Sequence, residues 1–163
     1  MNKLLVLGIG NMLLTDDGGG VFASQELMKE DWPEQVTIRE GGTFTQDIFY
    51  SFKGYSHLLV LDVVHCGSKP GTLYRLTEDA LIKDDKQRLS IHDIDLIDSL
   101  RMAEKLFGTK SELLVLGVEP KDYVTWNIGL SDDVQAVFPE FLALARKEIG
   151  EWLKRYGNEE TRA

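Results

Sequence analysis

The chain has too few cysteines and histidines for a disulfide framework or a cysteine-rich zinc module. Its 163 residues include one cysteine, Cys66, and three histidines. One cysteine cannot form an internal disulfide, and cysteine-rich structural zinc sites draw on several Cys and His ligands. A chain of this length can bury a substantial core without such cross-links. We therefore expect an intracellular protein from a reducing compartment.

The chain also lacks a cluster of basic residues. Its 27 acidic side chains outnumber its 18 basic ones, which gives a formal charge of −9. Because proteins contact nucleic-acid phosphates through clustered Lys and Arg, this composition argues against nucleic-acid binding.

Long apolar runs are missing as well. No segment approaches the roughly 18 apolar residues that a membrane-spanning helix needs. The first apolar run breaks at Gly8, which is too early for the apolar core of a signal peptide. We expect a soluble, cytoplasmic monomer without membrane or nucleic-acid partners. Residues 1–156 should form a single α/β domain, and residues 157–163 a flexible tail.

Apolar runs alternate with amphipathic segments along the chain. Strands are predicted over residues 3–7, 36–39, 57–64, 72–76 and 113–118. Helices are predicted over residues 21–28, 44–53, 93–107 and from Ser131 to near Tyr156.

The strand over residues 72–76 alternates apolar and polar residues, which is typical of a half-exposed, antiparallel edge. Pro139 indicates a kink or a later start of the last helix. Residues 78–90 should be irregular, with room for a short helix. This alternation predicts a three-layer α/β sandwich, in which helices cover both faces of a mostly parallel sheet.

Two adjacent aspartates stand in a glycine-rich segment after the first predicted strand. The segment, residues 8–20, reads GIGNMLLTDDGGG. Such loops lie at the carboxyl edge of α/β sheets, where these folds bind ligands. Asp17 lies near the start of the next helix, whose dipole favours an ionised carboxylate that can accept a cation. We expect Asp16 and Asn11 to support this site, with Asp16 fixing the loop through hydrogen bonds.

Two other interpretations compete for this segment. Gly8 and Gly10 fit a dinucleotide-binding fingerprint, but Leu13 stands where the third glycine is expected, and two carboxylates would repel a pyrophosphate. A plain helix cap would explain one of the two aspartates, but not both.

A carboxylate also interrupts the apolar run HLLVLDVV. A buried, unpaired Asp62 would be costly, so it either accepts hydrogen bonds from a neighbouring loop or lies at the strand's carboxyl end beside Asp17. His92, just before the long helix, is a third candidate ligand, although a histidine there is also typical of a cap or a surface position. His65 and Cys66 are weaker rival ligands because they follow the same strand.

Two carboxylates and one imidazole form a set of two oxygen donors and one nitrogen donor. The imidazole favours nickel, zinc, cobalt or iron over magnesium or calcium. Three protein ligands leave coordination positions open for water or a substrate group. Because no thiolate contributes, the affinity of the free protein for metal should be modest, and the metal could arrive with a partner.

Over residues 3–155 the sequence resembles the nickel-iron hydrogenase maturation endopeptidases, which remove a C-terminal extension from the precursor of the hydrogenase large subunit. The resemblance rests on five motifs in a fixed order. They are GIGNMLLTDDGGG at 8–20, EGGT at 40–43, HLLVLDVV followed by Pro70-Gly71-Thr72, LSIHDIDLID at 89–98 and LLVLGVEP at 113–120.

The resemblance implies a twisted five-stranded sheet between helices and a catalytic metal site at Asp17, Asp62 and His92. It also implies that the metal is the precursor's own nickel, so that the protease checks for nickel before it cuts. The family has either aspartate or glutamate at the first ligand position, which is Asp17 here. Glu40 stands where many relatives have aspartate, and we assign it no catalytic role.

Gly41, Gly42 and Thr43 are the candidate substrate-binding residues. Glycines allow a peptide backbone to approach closely, although a tight turn without any ligand would explain them equally. Hydrolysis could use a metal-polarised carbonyl, a metal-bound water, or a water activated by a carboxylate while the metal serves only for docking. A non-catalytic, nickel-dependent binding protein with the same three ligands is the alternative function, and only cleavage separates the two.

Overall fold

The computed structural model describes residues 2–42, 46–83 and 91–157, and for residues 46, 47, 83 and 91–95 it describes the backbone alone. The strands are β1 (Leu4–Ile9), β2 (Val36–Gly42), β3 (His57–Val63), β4 (Leu73–Thr77) and β5 (Glu112–Val118). The α-helices are α1 (Gly19–Met28), α2 (Glu78–Lys83), α3 (Ile91–Phe107) and α4 (Asp132–Tyr156). Two 3-10 helices cover Thr15–Gly18 and Gln46–Phe52.

The five strands form one mixed sheet in the order β2-β1-β3-β5-β4. The first four strands in this order are parallel, and β4 pairs antiparallel with β5 at the sheet edge. The prediction of a mostly parallel α/β sheet is therefore confirmed, as is the antiparallel edge strand. The register aligns Gly8 with Leu61, and Asp62 with Gly117, so the loops after β1, β3 and β5 leave the sheet at one common edge.

Helices cover both faces of the sheet. One buried cluster joins alternate residues of β3, including Leu59 and Leu61, to α1 and α4. A second cluster joins Leu58 and Val60 of the same strand to α3 and the Gln46–Phe52 helix. Because successive side chains of a strand point to opposite faces, the apolar run of β3 supplies both clusters. None of the helices within the described ranges combines the length and the apolar character that a membrane crossing requires.

Three elements differ from the sequence predictions. β2 continues to Gly42 instead of ending at Arg39, because the register shifts by one residue opposite Ile9 and absorbs an extra glycine in a bulge. The predicted helix over 44–53 is a 3-10 helix in its described part, from Gln46 to Phe52. Pro139 lies inside α4, which begins at Asp132, so a later start of this helix is wrong.

Candidate functional site

The glycine-rich segment after β1 folds back over the ends of β1 and β3. A Cβ atom at Gly20 would overlap the Leu61 carbonyl oxygen, and one at Gly10 would overlap the Asp17 carbonyl oxygen. Gly10 also has a φ of 140°, which side chains of L-residues rarely permit. These contacts let α1 begin directly above the strand ends. The Thr15–Gly18 turn consequently lies at the carboxyl edge of the sheet.

Asp17 lies in this turn with its side chain partly exposed. Its Oδ2 accepts a hydrogen bond of 3.0 Å from the backbone N–H of Asn11. The side-chain oxygen of Asn11 in turn accepts a bond of 2.9 Å from the Leu13 N–H. Asn11 thus stabilises the loop on one side and orients the Asp17 carboxylate on the other, while the carboxylate keeps some contact with solvent.

Asp62 is the penultimate residue of β3 and is only 1% exposed. Its Oδ1 accepts a hydrogen bond of 2.7 Å from the Val63 N–H. Strand alternation puts Asp62 on the same face as Leu58 and Val60, which is the face that α3 covers. The donor is the next residue of β3, so this bond does not come from a neighbouring loop, and the position of the Asp62 carboxylate beside Asp17 stays a prediction.

His92 lies in the first turn of α3, which begins at Ile91 and not at Asp93, so the predicted position just before the helix is wrong. The four residues 108–111 connect the end of α3 to Glu112, which pairs with His57 at the amino edge of the sheet. A helix of 17 residues is about 25 Å long, roughly the length of a seven-residue strand. The start of α3 therefore lies toward the carboxyl edge. The structure describes the backbone of His92 but not its side chain, so whether the imidazole faces the two carboxylates stays a prediction.

No group of three His, Cys, Asp or Glu side chains with the geometry of a metal site occurs among those that the structure describes. The predicted set of Asp17, Asp62 and His92 lies partly outside those side chains. The metal site therefore stays a prediction as well, supported by the edge that the three positions share.

Asp16 differs completely from its neighbour Asp17. It is fully buried, and its Oδ2 accepts hydrogen bonds from the N–H groups of Lys121 (2.9 Å) and Asp122 (3.0 Å) and from the Ser131 hydroxyl (2.7 Å). Its Oδ1 accepts a fourth, of 2.7 Å, from the Ser131 N–H. Ser131 is also the N-cap of α4. The Asp16 carboxylate thus joins the loop of β1 to both ends of the segment 121–131.

The rival ligands lie at the same edge. The His65 ring packs edge-on against the Tyr123 ring, with 4.0 Å between the centroids. The N–H of Cys66 donates a hydrogen bond of 3.0 Å to Oε2 of Glu119. His57, in contrast, lies at the opposite edge, where its Nε2 is 3.2 Å from a carboxylate oxygen of Glu112. Of the three histidines, His65 and His92 therefore remain near the candidate site.

Glu119 is a buried carboxylate that the sequence analysis missed. It directly follows β5 and is 4% exposed. The signal was available, because an acidic residue after the apolar run LLVLGV repeats the pattern that identified Asp62. Burial raises the pKa of the neighbouring Tyr74 hydroxyl, and the negative charge of Glu119 adds to this effect. Tyr74 is therefore neutral beside an acidic group.

The predicted substrate-binding residues lie at the end of the edge strand β2. Gly42 accepts a hydrogen bond of 2.9 Å from the Gly10 N–H and adopts a φ of 58°. A Cβ atom at Gly42 would meet no atom of the described residues within 4 Å. A Cβ atom at Gly41 would lie 3.0 Å from the Leu7 side chain, which explains why the bulge takes a glycine. Thr43 lies outside the described residues.

A cavity of about 410 Å³ lies at the amino edge of the sheet, far from these residues. Two ion pairs lie in its lining, between Arg75 and Glu148 at 2.6 Å and between His57 and Glu112 at 3.2 Å. This cavity therefore offers no continuation of the candidate site at the carboxyl edge.

Comparison with known proteins gives a consistent set of relatives. A family model described as HycI, hydrogenase maturation protease, matches residues 21–148. The chain is 29% identical over 153 residues to the hydrogenase expression/formation protein HupD of Bradyrhizobium diazoefficiens, covering 93% of this chain and 80% of that protein. It is 30% identical over 137 residues to the hydrogenase 2 maturation protease of Escherichia coli, covering 83% of each.

Solved structures share the fold. The hydrogenase maturating endopeptidase HybD from E. coli superimposes with a TM-score of 0.80 at 28% identity, covering 91% of this chain and 93% of that one. The [NiFe] hydrogenase maturation protease HybD from Thermococcus kodakarensis superimposes with a TM-score of 0.76 at 24% identity, covering 90% and 99% of the two chains.

Proposed function

The chain belongs to the hydrogenase maturation protease family, and from this membership we propose that it removes the C-terminal extension of a nickel-loaded [NiFe]-hydrogenase large-subunit precursor. In this proposal Asp17, Asp62 and His92 recognise the nickel that the precursor already carries. The observation that carries the proposal is the position of Asp17 in the turn after β1 and of Asp62 near the end of the neighbouring strand β3, on the edge toward which α3 begins.

The donor set suits a nickel ion that belongs to the substrate. Two carboxylates and an imidazole are donors that Ni²⁺ accepts, and three protein ligands leave room for the groups that the precursor itself supplies. The partial exposure of Asp17 leaves its carboxylate accessible to an incoming metal. A nickel-free precursor would lose these contacts and bind more weakly, because a binding step can discriminate only by differential affinity.

The peptide to be cut would run along the open end of β2. β2 is an edge strand of the sheet and ends in two glycines, so an extended tail could approach Gly41, Gly42 and Thr43 closely. The side chain of Asp17 or Asp62 could then accept the proton of the water that attacks the scissile carbonyl. The substrate's nickel would supply Lewis acidity or docking at this point.

The decisive experiment compares the nickel-loaded precursor with the nickel-free precursor. Purified protein is incubated with each form of the large-subunit precursor from the same organism, and the products are weighed by mass spectrometry. We expect a C-terminal peptide to be lost from the loaded form alone. Equal processing of both forms would disprove recognition of nickel. Tight nickel-dependent binding without cleavage would instead support the alternative, a non-catalytic binding protein for the same client.

Variants test the individual residues. Asp17→Asn, Asp62→Asn and His92→Ala should each reduce processing at least about a hundredfold, within the usual range for loss of an acid–base or electrostatic group. Asp98→Asn, at an exposed position of α3, is the matched control and should leave processing unchanged. His65→Ala should also stay active. An inactive His65→Ala variant together with an active His92→Ala variant would move the imidazole ligand to His65.

A further inference from the structure

The loop over residues 121–131 exposes large apolar side chains beside the candidate site. With Leu13 from the loop after β1, it forms a group that we call the apolar patch. Its members are 46% to 74% exposed, and they are Leu13, Tyr123, Val124, Trp126 and Ile128. Single exposed apolar residues are common on protein surfaces, but such a concentration of them, including a tryptophan and a tyrosine, is typical of an interaction site.

Hydrogen bonds hold this loop in a defined conformation. Asp16 fixes both of its ends through four hydrogen bonds. Asp122 accepts bonds of 3.0 Å from the N–H groups of Val124 and Thr125. Asn127 bonds through its backbone to both Leu13 (2.9 Å) and Thr15 (3.0 Å). The apolar side chains are therefore held out in solvent by a preorganised backbone, which lowers the entropy cost of binding a partner.

The apolar patch continues the candidate site on two sides. Leu13 belongs to the loop that carries Asp17, and its backbone carbonyl accepts the bond from Asn127 between Trp126 and Ile128. On the other side Tyr123 packs against His65, which follows Asp62 by three residues. A protein whose tail reaches Asp17 and Asp62 would consequently bring its folded body over this surface.

We propose that the apolar patch is the docking surface for the folded body of the hydrogenase large-subunit precursor, an inference that rests on the proposed function. The matching surface of the precursor is apolar and lies beside its C-terminal tail. The run from Tyr123 to Ile128 contains no charged residue. Asp122 directly precedes it, and its Oδ1 is engaged by the loop itself. Recognition here therefore depends on apolar burial around Trp126 and Tyr123, which are residue types that often dominate binding energy.

The test is steady-state processing of the nickel-loaded precursor by a patch variant. Trp126→Ser/Ile128→Ser should raise KM at least about tenfold, equivalent to about 1.4 kcal/mol, because two apolar contacts are lost. kcat should stay within about twofold, because neither residue belongs to the cutting site. The control is Met102→Ser/Leu106→Ser, which removes two apolar side chains of α3 that are 46% and 58% exposed and should leave KM unchanged. Circular dichroism verifies that both variants fold.

Four results would overturn the proposal. An unchanged KM in the patch variant, with active wild-type protein, would remove docking and leave the proposed function intact. A fall in kcat at constant KM would assign the loop to the cutting site instead. If sedimentation detects a dimer of the wild-type protein and the patch substitutions dissociate it, the patch is an interface between copies of this chain. Failure of the wild-type protein to cut or bind the precursor would refute the proposed function itself, and docking with it.

Discussion

Asp16→Asn should destabilise the protein more than Asp17→Asn, the other replacement of a carboxylate by an amide in the loop after β1. The fully buried Asp16 carboxylate accepts four hydrogen bonds, from two backbone N–H groups and from both donors of Ser131. In Asp16→Asn the amide can rotate so that its oxygen faces Lys121, Asp122 and the Ser131 hydroxyl. Its NH₂ group then faces the Ser131 N–H, and two donors oppose each other.

The expected loss follows from these contacts. Hydrogen bonds to a charged group contribute about 1.5–3 kcal/mol each, and a donor left unsatisfied in a buried position costs about 1–3 kcal/mol. Asp16→Asn weakens three bonds by removing the charge and loses the fourth, so we expect about 2–4 kcal/mol. Asp16→Ala removes all four acceptor contacts, and because water can reach part of the loop we expect about 3–5 kcal/mol. A domain is typically stable by about 5–15 kcal/mol, so both losses are measurable.

Urea unfolding followed by circular dichroism measures the free energy of unfolding. The control is Asp31→Asn at an exposed position, which should change it by less than about 0.5 kcal/mol. Hydrogen exchange should show faster exchange of the Lys121, Asp122 and Ser131 amides in Asp16→Asn. A loss below about 1 kcal/mol, with unchanged exchange at these amides, would refute the idea that Asp16 holds the loop.

Two further predictions concern the same edge of the protein. Gly20→Ala should cost about 3 kcal/mol or more in thermal or urea unfolding, because its Cβ would overlap the Leu61 carbonyl. Gly150→Ala in α4, where a Cβ meets no atom of the described residues within 4 Å, should instead stabilise by about 0.5–1 kcal/mol. Similar losses at both sites would contradict the steric argument. The carboxyl of Asp122 should titrate by NMR below its ordinary pKa of 3.8, because the Thr125 hydroxyl and the N–H groups of Thr125 and Val124 favour its charged form. The contribution of the charged Asp122 carboxylate to loop stability is therefore present above pH 3.8 and is lost as the pH falls through the lowered pKa. An NMR titration midpoint at or above pH 3.8 would show that Asp122 does not stabilise the loop.

The strands could be predicted because their signal is local. Three apolar runs become the parallel strands β1, β3 and β5, since a strand buried on both faces needs apolar residues at consecutive positions, whereas β2 and β4 alternate. The end of β2 could not be predicted in the same way. Glu40-Gly41-Gly42 has the composition of a strand end, and only the bulge opposite Ile9 shows that pairing continues to Gly42. Pairing with β1 therefore determines where β2 ends, and the sequence of β2 alone does not show it.

The candidate site likewise combines residues that the local sequence identifies with residues that it does not. Asp62 was identified because a charge in an apolar run is unusual wherever it folds. The four partners of Asp16 could not be identified, because Lys121, Asp122 and Ser131 lie more than a hundred residues further along the chain. The exposure of Trp126 and Ile128 could not be predicted from the sequence either. The segment Tyr123-Val124-Thr125-Trp126 has the composition of a buried strand, and only the hydrogen bonds of the loop hold these side chains in solvent.

The adjacent aspartates explain why rigidity and accessibility occur together at this edge. Successive residues of a 3-10 helix point about 120° apart, so one of two neighbours can face inward while the other faces outward. Asp16 faces inward and accepts four bonds, and Asp17 remains partly exposed. Because both belong to one short turn, the bonds of Asp16 also set the position of Asp17. The same bonds fix the ends of the loop that carries Trp126. A metal-bearing tail and a folded body would therefore meet two surfaces whose relative position is set by a single buried carboxylate.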